Sequence, residues 1–243
     1  MFKNSIFCIC DTETTGLDPA TDRVCELAGL YWSPALGVLG QFETLIDPGR
    51  PIPPDASAVH HLTDEDVAGK PSLDEALRQL KAQPFQIWVA HNADFDFNFI
   101  PRDERPVLCT LRLAKKVYPQ SPRHTNQYLR YALKLAVPEA KGLPAHRALA
   151  DVFVTTALLR HLLEEVQNLR PDLQTIEDLV NWSTEPNLLP ICRFGNKHRD
   201  KPWSEVPKSY LQWMAREVQD MDPDLKFTVN HWLNQPNVEN DTV

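Results

Sequence analysis

The sequence predicts an α/β fold, and three observations carry that expectation. Short apolar runs of strand length recur through the first half of the chain. Amphipathic stretches with recognisable helix starts lie between and after them. The first run, Ile6-Phe7-Cys8-Ile9-Cys10, ends on Asp11-Thr12-Glu13, the pattern of a doubly buried strand surfacing at its C-terminal end.

Taken in order, that first strand turns at Gly16. A second spans Val24–Trp32 and a third Gln41–Ile46, where Phe42, Thr44 and Ile46 alternate with Glu43 and Leu45. Short connections suggest an antiparallel meander, which the Pro48–Pro54 loop ends. Ser72-Leu73-Asp74-Glu75 is a capping box that opens a helix with Leu73, Ala76, Leu77 and Leu80 on one face. Gln86–Ala90 is a fourth strand running into a strand-to-helix transition over His91–Ile100, where spacing favours Phe95 and Phe99 as a buried pair. Val107–Thr110 is a fifth strand. Helices follow at 110–118, at 124–135 and over Arg147–Gln167, the last with an inward stripe of Ala148, Val152, Thr155, Leu159 and Leu163.

Composition narrows the classes. With 243 residues, 42% of them hydrophobic, the chain can bury a sizeable core and is not disordered. The 21 prolines cluster between elements as stiff punctuation. Five cysteines, two inside the first strand, form neither a disulfide framework nor a zinc pattern. No apolar run approaches the roughly 20 residues of a membrane helix, and the expectation is a soluble protein of a reducing cytoplasm. Net charge is −8, yet Arg102–Arg147 holds ten basic residues and three acids. Such asymmetry fits a polyanion-binding face beside an acidic site, and equally a solvated basic surface.

Three clusters carry chemistry. Asp11 and Glu13, two apart on a strand, emerge on one face, and paired carboxylates repel unless a cation lies between them. Asp94 and Asp96 form the second cluster; geometry leaves both acids open. His146 and Asp151 form the third. Five residues of regular helix leave them about 140° off a common face, so His146 belongs in the lead-in after Pro144, and Asp151 in the first turn. That placement suits a proton carrier, and equally a surface histidine with an acid at the helix dipole.

Together, Asp11-Thr12-Glu13-Thr14-Thr15-Gly16-Leu17, His91-Asn92-Ala93-Asp94-Phe95-Asp96 and His146-Arg147-Ala148-Leu149-Ala150-Asp151 resemble, in order and spacing, the motifs of the DEDDh family of 3′→5′ exonucleases. The resemblance covers about residues 5–167. It implies a ribonuclease-H-like fold: a central five-stranded mixed sheet flanked by helices. It implies Asp11, Glu13, Asp96 and Asp151 as ligands of two Mg2+ ions, with Mn2+ able to substitute and Asp11 as the bridge. His146 would be the general base and Asp94 variable. Substrate contacts would fall to Thr12, Leu17, His60 and Asn92, with His60 in the segment Ala58-Val59-His60-His61-Leu62-Thr63. For Leu17 a wedge under the terminal base and ordinary core both stand, and for Asn92 a nucleotide contact and a helix cap.

The expected domains are an exonuclease domain over 1–170 and a small α+β module over 171–243. Phe194–Lys201 with Val206-Pro207 and Tyr210–Trp213 resembles the C-terminal module of one branch of the family, with an extra residue near Asn196. Asp200 stands where glycine is the pattern, which predicts a reshaped loop. Basic residues interleave there with aromatics. A single-strand stacking surface and a tryptophan-rich mini-core are both consistent with that. The functional expectation is hydrolysis of DNA from its 3′ end to 5′-mononucleotides. An exoribonuclease is the alternative, and an adaptor without catalysis is disfavoured because all four acids and the histidine are present. The expected partner is a nucleic-acid 3′ end, DNA before RNA, with no membrane. The chain would be a monomer or homodimer; a proofreading subunit bound to a polymerase is conceivable but unsupported, since no clamp- or polymerase-binding tail is recognisable.

Overall fold

The computed structural model describes residues 2–144 and 146–235. Its elements run β1 (Phe7–Thr14), β2 (Val24–Ser33), β3 (Gly37–Leu45), α1 (Pro54–His60), α2 (Asp64–Val67), α3 (Leu73–Leu80), β4 (Ile87–Ala90), α4 (Ala93–Phe99), β5 (Val107–Cys109), α5 (Thr110–Val117), α6 (Asn126–Ala132), α7 (Ala148–Leu169), α8 (Ile176–Thr184), α9 (Lys208–Glu217) and α10 (Pro223–Asn234). They form two compact units: Met1–Val117 with Arg123–Ser183, and Tyr118–Pro122 with Thr184–Val243.

The first unit is built on a five-stranded mixed sheet in the order β3-β2-β1-β4-β5. The meander β1-β2-β3 is antiparallel, while β1–β4 and β4–β5 are parallel. Every residue of β2 is buried, because α3 covers one face of that strand and α7 the other. Gly29 permits the approach of α3: a Cβ there would meet Leu80 Cδ1 at 2.4 Å. The capping box of α3 forms, with Ser72 accepting from Glu75 N and the Glu75 carboxylate accepting from Ser72 N. The expected inward stripe of α7 is buried throughout, and each fully buried leucine contributes about 1.5–3 kcal/mol.

β1 is longer than its apolar run. It stays paired with β2 as far as Thr14, but its ladder with β4 ends at Ile9–Val89. β4 ends at Ala90 and gives way to α4, so the last residues of β1 run on without a parallel neighbour at the carboxyl ends of the strands, the place where open α/β sheets bind ligands.

Two local expectations change. Phe97, not Phe95 or Phe99, is the deeply buried aromatic of α4. Phe95 and Phe99 pack against each other half-buried, at 5.2 Å. The i,i+4 spacing identified a real pair but not the face that meets the sheet. Gly16 has no positive φ; it serves close approach, since a Cβ there would lie 2.4 Å from Asp22 Oδ2. The Asp22 carboxylate accepts from Thr15 Oγ1, Asp18 N and Arg50 and so ties the 15–22 loop.

In the second unit, Cys192, Trp203, Val206, Leu211, Met214, Leu225 and Val229 form a core. Its β pairing among the described residues is the bridge Ile191–Pro202. Asp200 adopts the left-handed conformation itself, at φ 66°. The loop thus keeps the turn a glycine would make, because a short polar side chain tolerates that region better than most. No helix among the described residues is long and apolar enough to cross a membrane.

Candidate metal and active site

Asp11 and Glu13 follow Phe7 and Ile9 on the same face of β1, toward α7, which packs on β1. Asp151 projects from the first turn of α7. One carboxylate oxygen from each of Asp11, Glu13 and Asp151 lies within 4.8 Å of the others. Asp96 stands beside this trio at 2% exposure. Its Oδ1 accepts from Thr12 N at 3.0 Å and Thr12 Oγ1 at 2.8 Å. The Thr12 N–H is the one a neighbouring strand would take had β4 continued alongside. The early end of β4 thus frees both the space and the donor that orients Asp96.

Asp151 is held at both oxygens: Gln127 Nε2 donates to Oδ1 at 2.8 Å, and His146 N donates to Oδ2 at 3.2 Å. His146 lies two residues ahead of α7, exposed, with a left-handed backbone at φ 59°. Asn126 Nδ2 donates to Asp151 O and Thr155 Oγ1, fastening α6 to α7.

Behind the trio is a group that sequence reasoning missed. Glu26 on β2 sits directly opposite Glu13 in register and is fully buried. Arg147 holds it through Nε at 3.0 and 3.1 Å and Nη2 at 2.6 Å, and Ala148 N donates to it at 3.0 Å. Glu26 therefore satisfies a backbone N–H at the start of α7, where an anion is favoured, and pins that end against the sheet. A charged residue inside the apolar run Val24–Trp32 was the available signal, because a buried charge needs a partner. Gln127 and Asn126 left no signal: nothing in the spacing ties 126–127 to 151.

The trio is electrostatically frustrated. Burial first, and then Asp151, Glu26 and Asp96, push Glu13 up to about 8. Burial, followed by Asp96, Glu13 and Asp151, raises Asp11 well above the carboxylate range. Asp96 is raised by burial, against the lowering effect of the Thr12 hydrogen bonds. Crowded hard oxygen donors with no cationic side chain paired to them among the described residues are what a divalent ion would compensate; Arg147 is engaged by Glu26.

The remaining expected residues differ in burial and partners. The Thr12 side chain is buried and spent on Asp96. Leu17 is 82% exposed, just past the turn that follows β1, so ordinary core does not explain it. Asn92 is exposed with a left-handed backbone at φ 70° and makes no side-chain cap hydrogen bond to α4. His60 is 1% exposed: its Nδ1 accepts from Leu62 N at 3.0 Å, its Nε2 lies 3.7 Å from Cys25 Sγ, and burial lowers its pKa. His91, the first residue of the second motif, bridges Thr110 Oγ1 and His124 O, both at 2.9 Å, and burial lowers it to about 4.

Asp94 is exposed and pairs with Arg102 and Arg112. Arg105 pairs with Asp103, and Lys116 lies over Trp182 at 5.7 Å. Much of the basic block is thus engaged within the first unit.

A family profile described as "Exonuclease" matches residues 8–159, which include all four acids and His146. Exodeoxyribonuclease 10 of Escherichia coli K12 is 32% identical over 228 residues, 93% of this chain and 97% of that protein. The chain belongs to the DEDDh family of 3′→5′ exonucleases. A solved structure titled "Exonuclease X in complex with 5′ overhanging duplex DNA" superposes with TM-score 0.63 at 31% identity, over 73% of this chain and 99% of the other. A structure of exonuclease I shares the fold at 18% identity, with TM-score 0.56, over 76% of this chain and 44% of that one. Within the family, the tail resemblance read from the sequence is to exonuclease X.

Proposed function

We propose that this protein is a Mg2+-dependent 3′→5′ exodeoxyribonuclease that releases 5′-mononucleotides, with Mn2+ able to replace Mg2+. The observation that carries the reading is the convergence of Asp11, Glu13 and Asp151 oxygens within 4.8 Å, with Asp96 beside them. Asp11, Glu13, Asp96 and Asp151 would hold two divalent ions, with Asp11 central to both. When bound, such ions activate water as a nucleophile and neutralise the charge developing on the leaving oxygen.

The chain's own residues do the rest. Thr12 aims Asp96 with two hydrogen bonds. Gln127 and the His146 N–H fix both oxygens of Asp151. His146, exposed at the mouth of the site, takes the proton of the attacking water, a task that suits an imidazole near neutral pH. Leu17, exposed past the end of β1, would meet an apolar base face, and Asn92, free of a capping bond, a polar edge. The DNA preference rests on the relatives: exodeoxyribonuclease 10 covers nearly the whole chain. Five free cysteines, all buried, favour a reducing compartment, the cytoplasm.

Incubating matched 5′-labelled DNA and RNA strands with Mg2+, beside an Asp11→Ala control, tests the proposal. Faster stepwise shortening of DNA, absent in the control, supports it. Faster RNA shortening would replace it with the exoribonuclease reading.

A further inference from the structure

The second unit carries features that neither its core nor the carboxylate site explains. Cys192 N donates to Lys201 O and Asp200 N to Cys192 O, both at 2.8 Å, closing a loop over residues 193–199. Left-handed Gly195 and Asp200 bend it. Arg199 Nη1 braces the loop from inside, 3.4 Å from Gly195 O and 3.5 Å from Arg193 O. Phe194 anchors it to the core. Arg193 and Lys197 in the loop and Lys201 at its base are exposed and form no ion pair among the described residues. From Arg193 to Lys208 the chain has five basic residues and two acids, within a protein of net charge −8.

An aromatic series runs alongside. His198, in the loop, meets Tyr210 edge-on at 4.6 Å. Tyr210 stacks on Trp213 at 5.3 Å and 26°. On α9, Leu211 and Met214 turn into the core, whereas Trp213 is 42% exposed and not part of it. Trp203 is the buried tryptophan of this core, at 1%. The two readings of the tail thus divide between its tryptophans: Trp203 serves packing, and Trp213 is presented to solvent beside a cationic loop.

We propose that this surface of the second unit binds single-stranded nucleic acid, with phosphates against Arg193, Lys197 and Lys201 and a base stacked on Trp213. Fixed cations along a strand and an aromatic face that any base can cover are how single strands are held without sequence preference. A face of stacked bases in a duplex would be closed to Trp213, so the occupant is single-stranded.

Full-length protein in EDTA, where no turnover occurs, is titrated into 5′-fluorescein oligothymidylate of 20 nucleotides. Trp213→Ala weakens binding about tenfold, within the range of one lost base stack. Lys197→Glu with Lys201→Glu also weakens it, and lowers the slope of log affinity against log salt by about 1.4, the value for two phosphate contacts on a single strand. Both variants keep wild-type circular dichroism and hydrolyse a trinucleotide with Mg2+ at the wild-type rate. Unchanged affinity and salt slope in both variants overturn the inference, as does equal weakening for blunt duplex. A wild-type chain that cleaves nothing, while the variants lose binding, would refute the proposed reaction and leave this surface standing.

Discussion

Replacing Glu26 by glutamine probes how the fold holds the site without touching a proposed ligand. Glu26 is fully buried and accepts three bonds from Arg147 and one from Ala148 N. Glutamine keeps the shape and one acceptor oxygen but removes the charge. Breaking a buried pair by removing one partner costs about 3–5 kcal/mol. The Arg147 side chain is 31% exposed and can be partly rehydrated, which brings the expected cost to about 2–3 kcal/mol. At about 2–4 °C per kcal/mol for a domain of this size, thermal melting should fall by roughly 5–10 °C. Asp151 and His146 both ride on the end that Glu26 pins. A displacement near 1 Å of a positioned group costs about a hundredfold, so kcat should fall about 10–100-fold with a smaller change in KM. Circular dichroism melts in EDTA and steady-state hydrolysis measure the two effects. Arg147→Lys, which loses the fork geometry, should move both in the same direction. Melting within 1 °C of wild type together with kcat within twofold would refute the reasoning.

Other outcomes follow from the same geometry. Glu13 is raised in the fold from 4.5 to about 8, so the folded state binds more protons than the unfolded one between those values. Metal-free protein should then lose stability as pH rises from about 5 to 8, and Mg2+ should raise Tm more at pH 8 than at pH 5; a metal-free Tm that climbs across this window would contradict it. His146→Ala should lower kcat by about 10²–10⁴ while calorimetric Mn2+ affinity survives, and equal loss of metal binding would remove the proton-carrier role. Thr12→Val deletes one of the two bonds that orient Asp96; a kcat loss of about tenfold with near-native melting is expected, and unchanged kcat would show that the backbone N–H suffices. Leu17→Ala, at a site 82% exposed, should leave unfolding free energy within about 0.5 kcal/mol of wild type yet raise KM for a 3′ end; a large drop in Tm would return Leu17 to packing.

The sheet was legible because its signal is local. Ile6–Cys10 and Val24–Trp32 are apolar runs bounded by turn residues, and each forms a strand close to where the pattern places it. The long helix was legible from its stripe, and Ser72 and Glu75 from capping chemistry. The open space beside the end of β1 was not. It arises where the β1–β4 ladder stops at Ile9–Val89, a register property that no single strand displays. For the same reason, residue spacing could not choose between Asp94 and Asp96, while the fold buries one against Thr12 and leaves the other exposed to two arginines. Glu26 and Arg147 meet across 121 positions. Charge in an apolar run announces the need for a partner but not its identity. The net charge of 102–147 was visible, yet not all of its pairing was, because Asp94 becomes the counter-ion of Arg112 only once α4 and α5 fold together.

Metal stoichiometry tests the central claim most directly. Mn2+ is titrated calorimetrically into full-length protein saturated with a 5′-mononucleotide, beside Asp11→Asn. Two ions per wild-type chain, with both binding events strongly weakened in the variant, are predicted for a carboxylate cluster in which Asp11 serves both ions. Fewer than two ions in the wild type, or an unaltered titration in the variant, would contradict the account.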